Sequence, residues 1–121
     1  MPTASVPFHE PRGINNRLLL ALPPATLDRL LRISEPVSLV KGQQIEAAGQ
    51  SINYIHFINR GLVCATKTTE DGRMVEIAAI GIEGTTEFVA LLGMDRALVD
   101  MAVLIPGTAI RIGRNAFLHE M

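Results

Sequence analysis

After Pro36 this chain changes to short β-prone runs separated by glycine-bearing corners, and that alternation constrains its fold more than any other feature. The runs are Val37–Val40, Tyr54–Ile58, Leu62–Lys67, Met74–Ile80, Leu98–Ile105 and Thr108–Ile112. Short, regularly spaced segments rich in β-branched and aromatic residues predict a sandwich or barrel-like roll. Asp71-Gly72 between two such runs is the strongest hairpin signal, because a tight turn needs residues that tolerate positive φ. Lys41-Gly42, Ala48-Gly49 and Arg60-Gly61 mark further corners.

Helical patterns flank the strands. In Leu22-Pro-Pro-Ala-Thr-Leu-Asp-Arg-Leu-Leu-Arg-Ile33, Pro24 suits a first helical turn and Leu27, Leu30 and Leu31 fall on one face. Arg114 to Met121 returns to a helical pattern for about two turns. Residues 1–16, rich in Pro, Asn and Gly and without an apolar period, read as an N-terminal tail, which leaves 17–121 as one domain. A chain of 121 residues buries enough surface in a single core to need no disulfide.

Composition excludes several functions. The lone Cys64 can form neither an intramolecular disulfide nor a metal cluster, and strand-like surroundings make it a small core residue in a reducing cytoplasm. Eleven basic against twelve acidic residues, net charge -1, leave no basic face, so direct DNA binding by this chain is not expected. No signal peptide is recognisable, and Leu18 to Leu22 is too short to cross a bilayer, so the expected location is the cytoplasm, away from membranes.

Neither catalysis nor metal binding has a residue set. His9, His56 and His119 are too dispersed for a local metal motif. Strand alternation sets His56 on the face opposite Ile55 and Phe57, which favours exposure or one satisfied hydrogen bond over ligation. No Ser/His/Asp, Cys/His or paired-carboxylate set stands out, so the chain is not expected to be an enzyme.

The order of elements is itself informative. A leading helix is followed by Val40-Lys-Gly-Gln-Gln-Ile45, Ala48-Gly49, Tyr54-Ile-His-Phe-Ile-Asn-Arg-Gly61, Glu70-Asp-Gly72 and Glu76-Ile77. From about Arg17 to Met121 this resembles the cyclic-nucleotide-binding domain of the Crp/Fnr family of transcription regulators. The resemblance implies a mainly β fold, a double-stranded β-helix jelly roll with short flanking helices. It further implies a ligand-sensing regulatory domain with a small-molecule effector and a homodimeric assembly. In the family a long dimer helix and a helix-turn-helix domain follow the roll, and neither is expected in this sequence. Phe117 and Leu118 are then expected to contribute to an exposed apolar strip on which two copies could close.

The same resemblance places a nucleotide cassette at Glu83, Gly84, Thr85, Thr86 and Glu87, with Arg96 and Ala97 downstream. Arg96 matches the arginine that neutralises the cyclic phosphate. Ala97 has no hydroxyl where the family places a phosphate donor, Thr86 stands ten positions before Arg96 with Glu87 one step out of register, and Glu83-Gly84 reverses the Gly-Glu order. The cassette is therefore degenerate: no cofactor is expected, and a cyclic nucleotide is disfavoured. On the bland reading Glu83, Glu87 and Arg96 are solvated loop charges, and two functions stay open, a ligand-sensing domain and a stand-alone protein-interaction module that binds no small molecule.

Overall fold

The computed structural model describes residues 13–86, 90 and 93–120. Its strands are β1 (Ser34–Leu39), β2 (Gln44–Glu46), β3 (Tyr54–Thr68), β4 (Met74–Ile80) and β5 (Asp100–Gly113), with helices α1 (Arg17–Leu20), α2 (Pro24–Arg32) and α3 (Arg114–Glu120). Pairing is antiparallel in the order β1-β5-β3-β4, with β2 also on β5. This is the expected mainly β roll with short helices.

Its spine is the β3–β5 ribbon, paired from Tyr54 opposite Gly113 to Thr66 opposite Asp100. The register slips between Ile58 and Val63, and there the ribbon turns a corner. Gly61 has φ 94°, and a Cβ built on it would lie 2.5 Å from the Ile105 carbonyl oxygen. A Cβ on Gly107 would collide with the Arg60 carbonyl. Backbone this close admits only glycine. Arg60-Gly61 thus bends one strand instead of separating two, and Pro106-Gly107 does the same across from it, so that each pair of expected runs forms one strand.

Alternation along the ribbon sorts side chains into two cores. Ile55, Phe57, Ile110 and Ile112 pack outward with Leu19, Leu30 and Phe117 of the helices. Ile58, Val63, Val103 and Ala109 pack inside the roll with Leu39. In α2, Pro24 opens the first turn and Leu30 is fully buried, with Leu27 and Leu31 beside it. Between β3 and β4 the turn closes through Thr69 N to Arg73 O at 2.7 Å, with Gly72 at φ 85°. Asp71 accepts from the Thr69 hydroxyl and from Arg73 Nε, and the Thr69 contact foremost lowers its pKa.

Two expectations need correction. Phe117 is no part of an exposed strip: α3 folds back and its ring lies 5.9 Å from that of Phe57, while Leu118 is partly buried against the same core. The chain gains by covering apolar surface that the ribbon's outer face offers. At the other end, Ile14 and Asn16 are buried, so the fold begins inside the stretch read as tail. Asn16 Oδ1 accepts from Leu18 N (3.1 Å) and Leu19 N (3.2 Å), capping α1, while Nδ2 donates to Ile58 O (2.9 Å) and Gly84 O (2.8 Å). Asn59 Oδ1 in turn accepts from the amides of Asn15 and Asn16. Residues 1–12 of the expected tail lie outside the described residues. No described helix is long and apolar enough to cross a membrane.

Candidate effector site

The turn after β4 is held from three sides. The Glu83 carboxylate accepts from the Gly81 amide at 2.9 Å, closing its own turn. Ile82 O accepts from Arg17 N (2.7 Å) and Gly84 O from Asn16 Nδ2. Thr85 bridges to Phe57, its hydroxyl donates to His56 O at 2.8 Å, and Thr86 N reaches the same carbonyl at 3.2 Å. Thr85 and Thr86 are both buried as a result.

This turn forms one wall of an open cavity of about 430 Å³. Ile77, Ala78, Ala79 and Ile80 of β4 supply the opposite wall, and Ala65, Met101, Val99 and Leu18 complete it. Among the described lining residues only Glu83, Thr85 and Thr86 carry polar side chains. The size suits a small-molecule pocket, and the lining is that of an apolar site with a few orienting groups.

Arg96 and Ala97 lie elsewhere. Residues 95–97 are stitched to 49–52 by Ile52 N to Asp95 O (2.8 Å), Ala97 N to Gln50 O (2.9 Å) and Gly49 N to Ala97 O (2.8 Å). The exposed Arg96 guanidinium donates to Gly49 O at 3.0 Å, and Ala97 is buried in the outer core. Of the residues expected in the cassette, the fold gathers Glu83, Gly84, Thr85 and Thr86 on the cavity and leaves Arg96 and Ala97 off its lining. Glu87 falls outside the described residues.

Other reactive groups have quiet settings. Burial first, then a hydrogen bond and charge from Glu76, raise the pKa of the half-buried Cys64 thiol. Among the described residues no three His, Cys, Asp or Glu side chains gather as a metal site.

Glu46, which sequence reasoning did not single out, is buried at 8% exposure, as is His56. A register shift between Gln44 and Glu46 explains this, because a bulge turns Glu46 inward beside Ile45, where strict alternation would part them. Both side chains line a separate polar cleft of about 240 Å³ between β2 and the start of β3. A carboxylate two positions after a glutamine in a short strand carries no sequence signal of burial.

Solved structures match this fold. The sensor domain of the transcriptional regulator DNR from Pseudomonas aeruginosa superposes with TM-score 0.72 at 20% identity, over 85% of this chain and 69% of that one. The N-terminal domain of a transcriptional regulator from Streptomyces coelicolor A3(2) gives 0.75 at 18% identity, over 88% and 76%. The Thermus thermophilus Catabolite Activator Protein gives 0.72 at 17% identity, over 85% of this chain and 48% of that protein. No protein-family model and no curated protein sequence matches the chain. At these identities the likeness is one of fold, and the chain has the jelly-roll fold of the sensor and cyclic-nucleotide-binding domains of Crp/Fnr-type transcription regulators.

Proposed function

We propose that this chain is the sensing domain of a transcription regulator and that its effector is a compact, mostly apolar molecule bound in the cavity beside Glu83 to Thr86. The observation that carries this reading is the cavity's chemistry: apolar walls, two threonines and a carboxylate, with no cation among the described lining residues. A cyclic phosphate taken into such a site would lose hydration without a charge partner. Ala97 offers no hydroxyl, and Arg96 is engaged with Gly49. The cassette is accordingly degenerate, the chain needs no cofactor, and it acts by binding and not by catalysis. Asn16 links α1 to Gly84, so a ligand that moves the turn also strains the helix cap.

The alternative, a protein-interaction module, is favoured by one specific feature. Strand β4 pairs only with β3 among the described residues, and Met74 and Ile77 are 70% and 53% exposed on it. An apolar edge strand is a ready association surface. In this alternative the chain binds no small molecule, pairs with a second copy through the β4 edge, and makes no direct contact with DNA.

A thermal-shift screen tests the reading, because a ligand that binds only the folded state raises its melting temperature. Small heteroaromatic and aliphatic compounds should stabilise the wild type and fail to stabilise Ala78→Phe, which fills the cavity. Stabilisation by cyclic AMP alone would overturn the proposal.

A further inference from the structure

We propose that the polar cleft between β2 and the start of β3 is a second binding site, for a small neutral polyhydroxyl compound of about monosaccharide size. This does not depend on what occupies the apolar cavity, with which the cleft shares no lining residue. The cleft holds about 240 Å³, the liquid volume of about eight waters. Gln44, Gln50 and Asn53 line it with carboxamides and Ser51 with a hydroxyl. Carboxamides and hydroxyls each donate and accept, which matches a solute whose hydroxyls do the same.

Charge narrows the class further. The floor carries Glu46 and His56, each 92% buried and each already engaged within the chain. A carboxylate accepts at up to about four lone-pair sites, so Glu46 can take ligand hydroxyls beside its contacts within the chain. Among the described residues no lysine or arginine lines the cleft, and the nearby Arg111 is ion-paired with Glu35, so a phosphate or carboxylate ligand would meet Glu46 with no lysine or arginine on the lining to pair with it.

Tyr54 completes the wall. The Arg111 guanidinium sits 3.9 Å from the centre of its ring, and the His56 ring stands edge-on with the two ring centres 6.4 Å apart. Held between these groups, a lining aromatic ring offers the rigid apolar surface against which the C–H face of a sugar can pack. The cleft also connects to the effector turn, because the His56 carbonyl accepts from both Thr85 and Thr86.

The test is an NMR titration of the full chain with neutral probes (glucose, galactose, ribose and inositol) against anionic, charged ones (glucose 6-phosphate and glucuronate). At least one neutral probe should bind in the millimolar range or tighter, shifting the amides of Gln44 to Ala47 and Asn53 to His56. Glu46→Gln keeps the shape and should weaken that binding by about tenfold or more, since hydrogen bonds to a charged acceptor are the stronger kind. Gln50→Ala, at an exposed position that leaves folding intact, should weaken it severalfold. The proposal is overturned if no neutral probe shifts those amides, if charged probes bind as well as neutral ones, or if both variants bind like the wild type.

Discussion

Asn16→Asp separates what a helix cap contributes from what a buried amide contributes. Aspartate is as good an N-cap as asparagine, so the bonds from Leu18 N and Leu19 N survive the change. The Nδ2 donor does not. Ile58 O and Gly84 O, now at 2.9 and 2.8 Å from it, would face a carboxylate oxygen at a fully buried position. A buried partner left unsatisfied costs about 1 to 3 kcal/mol, so the pair costs about 4 kcal/mol even before the desolvated charge is counted. Against a typical total of about 5 to 15 kcal/mol this is a large fraction. Asn16→Ala should lose a similar amount, since it forfeits the cap as well but buries no charge. Asn15→Ala is the control; Asn15 bonds to Asn59 through its backbone amide, which alanine keeps, and the change should alter stability by less than about 0.5 kcal/mol. Urea denaturation followed by circular dichroism reads all three. An Asn16→Asp loss under about 1 kcal/mol would show that the cap alone matters and that the link from α1 to Gly84 is incidental.

The docked terminal helix makes Phe117→Ala costly by about 3 kcal/mol in the same assay, since truncating a buried phenylalanine opens a cavity against Phe57. At the bend, Gly107→Ala should prevent the ribbon from closing and abolish cooperative unfolding, whereas Gly42→Ala, with open space around it and only its positive φ to strain, should cost about 1 kcal/mol. The raised pKa of Cys64 means that the folded chain holds the thiol proton more tightly than the unfolded chain does. Stability on this account is constant below the ordinary value of 9.0 and falls as pH rises past it; Glu76→Gln should lessen that fall and speed iodoacetamide labelling. Gel shifts at physiological salt should show no sequence-dependent binding of duplex DNA by this chain.

The roll was legible because its signals are local. Asp71-Gly72 marks a turn whichever strands it joins, and Leu27, Leu30 and Leu31 declare one helical face. The corner at Gly61 was legible as a glycine but not as a bend within one strand, because its cause is the approach of Ile105 and Pro106 from far along the chain. Asn16 reads as loop material for the same reason: its four polar contacts depend on α1, β3 and the Gly84 turn arriving together. Half of the cassette, Glu83 to Thr86, could be read as a turn near a cavity. The place of Arg96 could not, because pairing with Ser51 across 44 intervening positions, and not its own neighbours, sets where it points.

The central claim is that the cavity beside Glu83 to Thr86 takes an apolar effector and not a cyclic nucleotide, and calorimetry tests it most directly. Wild type, Ala78→Phe and Arg96→Ala would each be titrated with indole, as a compact apolar probe, and with cyclic AMP. The account predicts measurable indole binding that Ala78→Phe removes and Arg96→Ala leaves unchanged, and no micromolar binding of cyclic AMP by any of the three. Micromolar cyclic AMP binding by the wild type that disappears in Arg96→Ala would contradict it.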